Sequence, residues 1–150
     1  MPSNKRRIKR NFSISVNPEI KDKLGINLNK TFFNDVISES YYSIFYSAKA
    51  FLLFHNIETE SPEEHKKTYE EFKRLVESKK LDKELTEIYE EESNKAESLL
   101  KIFFDERRNR GRFTYNINAN ANKPFAEQSI KNAKFFVSII KNLIENKILD

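Results

Sequence analysis

Four arginines fall within six positions, in the run Arg107-Arg108-Asn109-Arg110-Gly111-Arg112-Phe113-Thr114-Tyr115. A guanidinium carries a permanent charge and offers a planar fork of N–H donors that fits two phosphate oxygens. Four of them cannot all be buried unpaired. The cluster follows an acidic stretch (Glu87, Glu90, Glu91, Glu92, Glu97) and stands out against it. Arg107, Arg108, Asn109, Arg110 and Arg112 are therefore candidate contacts for phosphate or an RNA backbone. A plainer reading stays open, because cations near a helix C-terminus interact favourably with the helix dipole. That would account for one or two of the arginines, but it does not require the aromatic pair Phe113 and Tyr115.

Other chemistry finds little support. The chain has two His, ten residues apart at His55 and His65, without zinc-ligand spacing. It has no Cys, which excludes disulfides, thiolate metal sites and a Cys nucleophile. Two Gly exclude a glycine-rich phosphate loop, and no Ser sits in a G-x-S-x-G setting. Neither a metal nor a cofactor is expected. His65 stands one turn into an apolar helix face, where a satisfied, partly buried imidazole is the ordinary outcome. Tyr41, Tyr42, Phe45 and Tyr46 wrap more than one face. They read as core plus buried interface, with base stacking as the functional alternative.

The elements that must position these residues are helical. The 150 residues suit one domain with an ordinary core. No apolar run is long enough to span a membrane, and the basic start lacks the apolar stretch of a secretory signal, so the cytoplasm is the expected location. Ile37, Tyr41, Ile44, Ala48 and Phe51 step by four and three along one helix face. Thr31 or Asn34 is a candidate cap, and His55-Asn56 a closing signal. Ser61, Pro62 and Glu64 read as a capping box opening a second helix with His65, Tyr69, Phe72 and Val76 on one face. Asp82 is placed to cap a third, running to about Arg107 with Leu85, Ile88, Ala96, Leu99 and Phe103. Residues 116–123 read as a loop. Pro124 opens a last helix with the stripe Ala126, Ile130, Ala133, Val137, Ile140 and Ile144. The expectation is an all-α up-and-down bundle of four to five helices over residues 31–150.

Residues 1–30 read differently. Lys5, Arg6, Arg7, Lys9 and Arg10 occur in the first ten positions with no acid, while the other 140 residues hold 22 bases against 23 acids. The net charge of +4 therefore reports a basic arm. Asn17-Pro18 and Gly25 break the chain, so an extended arm followed by a short helix is expected. Such an arm suits loose, salt-sensitive contact with nucleic acid, or simply a solvated terminus.

Residues 40–53, Ser-Tyr-Tyr-Ser-Ile-Phe-Tyr-Ser-Ala-Lys-Ala-Phe-Leu-Leu, resemble the A-Y-Y-A-x-F-H-A-A-R-A-L-L helix of small prokaryotic HEPN-domain proteins. His65-Lys66-Lys67 resembles the H-K-G start of that family's next helix. Residues 72–85 and 126–140 are similar to its F-x-x-x-x-V-x-x-G-x-L-x-x-E-L and A-E-x-x-I-x-x-A-x-x-F-V-x-x-I stretches. The likeness covers about residues 32–145 in order. It implies an α-helical homodimer, often paired with a minimal nucleotidyltransferase antitoxin as a toxin–antitoxin system. Many family members are metal-independent ribonucleases with the motif Arg-x4-His-x-Tyr. By that motif Arg108 and Tyr115 would be the catalytic residues, with Asn109 the polar neighbour. Tyr115 would also be the position at which a partner enzyme attaches AMP. A second register, Arg110-x4-Tyr115, resembles the R-x-x-A-D-Y form of members without the His.

The departure is Phe113, which stands where the family has His. Metal-free RNA cleavage needs a base for the 2′-OH and an acid for the leaving oxygen, and losing such help costs on the order of 10² to 10⁴ in rate. Phe113 can supply neither, and a phenol with a reference pKa of about 10 makes Tyr115 a poor base. His65 would be an auxiliary group if folding brings it to the site. The expected function is thus HEPN-family RNA binding, with endoribonuclease activity weakened or lost. The rival is a non-catalytic regulatory subunit of a nucleotidyltransferase complex, whose arginines pair with a partner's acidic helices.

Overall fold

A computed structural model describes residues 4–25, 32–89, 95–115 and 123–149, with side chains over 5–25, 32–89, 95–113 and 123–147. Seven helices make up the described chain: α1 (Asn4–Val16), α2 (Pro18–Lys23), α3 (Phe33–Phe54), α4 (Glu64–Glu77), α5 (Lys80–Ile88), α6 (Lys95–Tyr115) and α7 (Lys123–Leu149). The all-α expectation holds, with no strand among the described residues. No described helix is long and apolar enough to cross a membrane. The chain divides into two compact units. Unit 1 comprises Met1–Ser43 with Glu106–Ala133, and unit 2 comprises Ile44–Asp105 with Lys134–Asp150.

In unit 1 the basic N-terminal segment is not an extended arm. It is helical because Ile8, Phe12 and Ser15 recur on one face and each finds a partner. Ile8 is buried in a cluster with Phe33, Val36, Ile37, Phe113 and Ala126, against which Phe12 and Ile130 pack. The Phe12 and Phe33 rings lie 6.1 Å apart. Ser15 Oγ accepts the Phe32 backbone N–H at 2.5 Å and donates to the Asn11 carbonyl at 2.7 Å. Burial of the apolar edge outweighs the mutual repulsion of five exposed or half-exposed bases. Asn17 then ends α1 and caps α2, its side chain accepting from the N–H groups of Glu19 and Ile20, with Pro18 in the first turn. The expected boundary at residue 30 and the Thr31 cap lie outside the described residues, and Asn34 lies inside α3.

In unit 2 the rings of Phe51, Phe72, Phe103 and Phe136 form the core, with Phe72 within 5.8 Å of Phe103 and 5.5 Å of Phe136. Ile44, Ala48 and Phe51 are buried as their spacing requires, and Asn56 closes α3 in a left-handed conformation (φ 61°). The capping box at Ser61 does not form. Glu63 is itself left-handed (φ 59°, ψ 40°) and occupies the cap position, while Glu64 reaches Lys49 on α3 instead of turning back to Ser61. A tertiary ion pair has taken the side chain that the local motif needed. The expected third helix is two helices, α5 and α6. Lys79 (φ 64°) precedes α5, and Asp82 sits in its first turn rather than at its cap.

The seam of α7 also differs from expectation. The buried positions of α7 include Ala126, Ser129 and Ala133 in unit 1, then Phe136, Ile140 and Leu143 in unit 2, whereas Ile130, Val137 and Ile144 are only half-buried. The helix is turned so that Phe136 enters the unit 2 core beside Ile139 and Ile140, leaving Val137 and Ile144 at its edge. The expected loop at residues 116–123 lies outside the described residues except for Lys123, which begins α7.

Candidate nucleic-acid interface

The Arg cluster occupies the last two turns of α6, inside the helix rather than beyond its end. The inward positions of α6 are Ala96, Leu99, Phe103, Glu106, Arg110 and Phe113, stepping by three and four. Within unit 1 this heptad-like seam places two ionisable groups, Glu106 and Arg110, where a core helix normally carries apolar ones. Each has a structural solution.

Glu106 is 1% exposed, and its two oxygens accept from Ser129 Oγ at 2.7 Å and Asn132 Nδ2 at 2.9 Å. The carboxylate is thus held by side chains of α7, and Ser129 is buried because it serves Glu106. Arg110 is half-buried and turns to α3. Its Nη2 donates to the Tyr42 hydroxyl at 2.6 Å, and its guanidinium lies 5.0 Å from the Tyr42 ring centre and 5.6 Å from that of Tyr41. The ring faces supply negative potential where carboxylates are scarce. Burial pushes the Tyr41 hydroxyl up to about 12, with the positive charges of Arg107 and Arg110 pulling the other way and the neighbouring Tyr42 adding to the rise. Tyr41 therefore stays protonated at any physiological pH and cannot act as a base.

The remaining arginines spread around the helix. Arg107 is half-buried, Arg108 and Arg112 are exposed, and Asn109 is half-buried. Arg112 lies 5.3 Å from the Phe113 ring centre. Gly111 is half-buried, and an added Cβ there would meet nothing within 4 Å.

Phe113 is 4% exposed and belongs to the unit 1 core, its ring 5.4 Å from that of Phe125. The residue in place of the motif His is thus a packing residue. The Tyr115 side chain, and with it the expected catalytic and AMP-accepting roles, lies outside the described residues. His65 belongs to unit 2, where its ring stacks on Phe45 at 3.9 Å and 17°. Both histidines of the chain are in unit 2, so unit 1 holds no imidazole. Among the described residues no group of three or more His, Asp or Glu could hold a metal ion.

Sequence reasoning reached the arginines but missed Glu106, Ser129, Asn132 and the partnership of Arg110 with Tyr42. The signal was present: continuing the three-and-four step from Ala96 through Phe103 runs through Glu106 and Arg110 to Phe113. A second pairing had no local signal. Arg7 on α1 reaches Glu39 on α3, Nη2 to Oε2, at 3.3 Å.

The fold is all-α, with the arginines of α6 beside the paired tyrosines of α3. The HEPN domain family profile matches residues 22–143, and the chain belongs to that family. No curated protein and no solved structure matches the chain.

Proposed function

We propose that this HEPN protein binds RNA through the last two turns of α6, with Arg108 and Arg110 as its main phosphate contacts and Arg107, Asn109 and Arg112 beside them. The observation that carries the reading is Arg110 clamped between α6 and α3 by Tyr42, with further arginines around it. A guanidinium anchored in place by a tyrosine hydroxyl loses little rotamer freedom when it takes a phosphate. This reading takes the register Arg110-x4-Tyr115 over Arg108-x4-Phe113-x-Tyr115, because it rests on the Arg110–Tyr42 bond.

Cleavage is weakened or lost in this reading. The described part of the cluster offers guanidiniums and phenols. These can bind phosphate and stabilise developing charge, while Phe113, in the motif's His position, cannot move a proton. The protein would then work as a homodimer in a toxin–antitoxin or defence setting with a minimal nucleotidyltransferase. Association is supported by the exposed stripe Tyr46, Ala50 and Leu53 on α3 in unit 2, spaced for one helix face. The same stripe favours the second reading, a regulatory subunit that contacts its nucleotidyltransferase through unit 2.

The test is metal-free incubation of the protein with structured RNA, following both binding and cleavage, with Arg108→Ala and Arg110→Ala alongside. Binding that both substitutions weaken while the oligomer persists supports the RNA reading. Loss of a nucleotidyltransferase complex with no RNA binding in any form would transfer support to the regulatory-subunit reading.

A further inference from the structure

We propose that α1 and the last two turns of α6 form one phosphate-binding surface, with Glu39 as its built-in counterion, so that an RNA strand held at Arg110 continues across α1. This rests on the RNA reading above and extends it to residues far from the family motif.

Three observations carry it. First, α1 is a docked helix. With Ile8 buried and Phe12 and Ser15 engaged, its bases occupy fixed positions. It carries Lys5, Arg6, Arg7, Lys9 and Arg10 and no acid, and all but the half-buried Arg7 are exposed. Second, the two basic segments, about a hundred residues apart in sequence, meet the same stretch of α3. Arg7 pairs with Glu39 and Arg110 bonds Tyr42. Glu39 and Tyr42 are three residues apart, hence on one face of α3 and separated by a rise of about 4.5 Å. The cationic groups of α1 and α6 thus flank a single turn of α3.

Third, Glu39 is a poor permanent partner. Its side chain is only 18% exposed, yet its Oε2 is buried without a hydrogen bond, and the approach of Arg7 at 3.3 Å is an ion pair without hydrogen-bond alignment. A buried carboxylate so placed gains mainly from the positive charge around it. It stands where a phosphate would, and it holds Arg7 against α3 until a phosphate shares that charge. The acids of α3 in unit 1 are Asp35 and Glu39, while Glu106 is already satisfied by Ser129 and Asn132. By sequence, α1 and residues 107–112 hold nine bases and no acid, against these two acids on the turns of α3 that they meet. A polyanion is the ligand class that complements such a surface.

The test is fluorescence anisotropy of the full chain with a fluorescein-labelled single-stranded oligoribonucleotide of mixed sequence and the matching oligodeoxyribonucleotide, across a salt series. Three variants are compared: Arg110→Ala, the quadruple Lys5→Gln/Arg6→Gln/Lys9→Gln/Arg10→Gln, and Glu39→Gln. The quadruple variant keeps Ile8, Phe12 and Ser15, and circular dichroism checks that α1 remains helical. The expected result is weaker binding by Arg110→Ala. The quadruple variant should bind about tenfold or more weakly, with a salt slope reduced by about 2 to 3, since each single-strand phosphate contact contributes about 0.7. That loss should be the same on RNA and DNA, because α1 reads only the backbone. Glu39→Gln should bind several-fold more tightly. If Arg110→Ala weakens binding while the folded quadruple variant keeps its slope, α1 is outside the site; the shared surface is then wrong and the RNA reading stands. If Arg110→Ala binds normally, or the native protein binds neither probe, the RNA reading itself fails and takes this proposal with it. Weaker binding by a folded Glu39→Gln would overturn the counterion role.

Discussion

Phe113→His would restore the family motif in sequence, and the structure predicts that it damages the fold instead of arming it. Phe113 is 4% exposed among Ile8, Phe33, Val36, Ile37 and Ala126, with the Phe125 ring 5.4 Å away. An imidazole there forfeits part of the apolar contact and buries an N–H and a lone pair in a cluster that offers no partner. The transfer loss and the unmet polar group together come to about 2–4 kcal/mol. The penalty also depends on pH. Burial favours the neutral ring, so the folded-state pKa of the new imidazole falls below its unfolded value of about 6.5. Protons then bind the unfolded chain more readily, and the variant loses further stability as pH falls through about 6.5. Urea unfolding followed by far-UV circular dichroism at pH about 7.5 and about 5.5 reads both effects. Metal-free RNA cleavage should not appear. A variant as stable as its parent at both pH values, with new cleavage activity, would show that position 113 faces the binding cleft and would refute the reasoning.

Three other outcomes follow from the same geometry. Glu106→Ala leaves Ser129 Oγ and Asn132 Nδ2 without their acceptor in a buried site, so unfolding free energy should drop by about 2–4 kcal/mol, measured by urea titration. His55 contacts Glu84 at 3.1 Å, and Lys147 pairs with the same carboxylate. Burial pulls the His55 pKa below its usual value, helped by Lys147 and Lys80 and opposed by Glu84. Stability should therefore fall as pH drops through about 6.5, and a His55→Gln variant should lose much of that slope in thermal melts between pH about 7.5 and about 5.5. Gly111 lies in α6 with open space at its Cβ. Gly111→Ala should raise stability by about 0.5–1 kcal/mol in the same unfolding assay, and little change in RNA affinity is expected.

Much of the architecture was legible in residue spacing. The buried face of α3, the all-α class and the opening of α7 near Pro124 follow from periodicity and backbone restriction, which act within a few residues. The family resemblance rested on those same stretches. What spacing could not convey was the competition between local and distant partners. Ser61 is a competent cap, yet Glu64 is taken by Lys49. The basic N-terminal segment has little reason of its own to leave water, yet Ile8 and Phe12 find a core made of residues from α3, α6 and α7.

The candidate site divides along the same line. The identities of Arg107, Arg108, Arg110 and Arg112 were plain, because a charge cluster is a property of neighbours in sequence. Whether Phe113 faced a cleft or a core was settled by packing. So was the choice of Arg110, not Arg108, to bond Tyr42, since that depends on which side of α6 meets α3. Side-chain type and period are local quantities and can be read from the chain. Burial, pairing and the convergence of α1 and α6 on one turn of α3 depend on residues brought together across the sequence, and they exist only in the folded molecule.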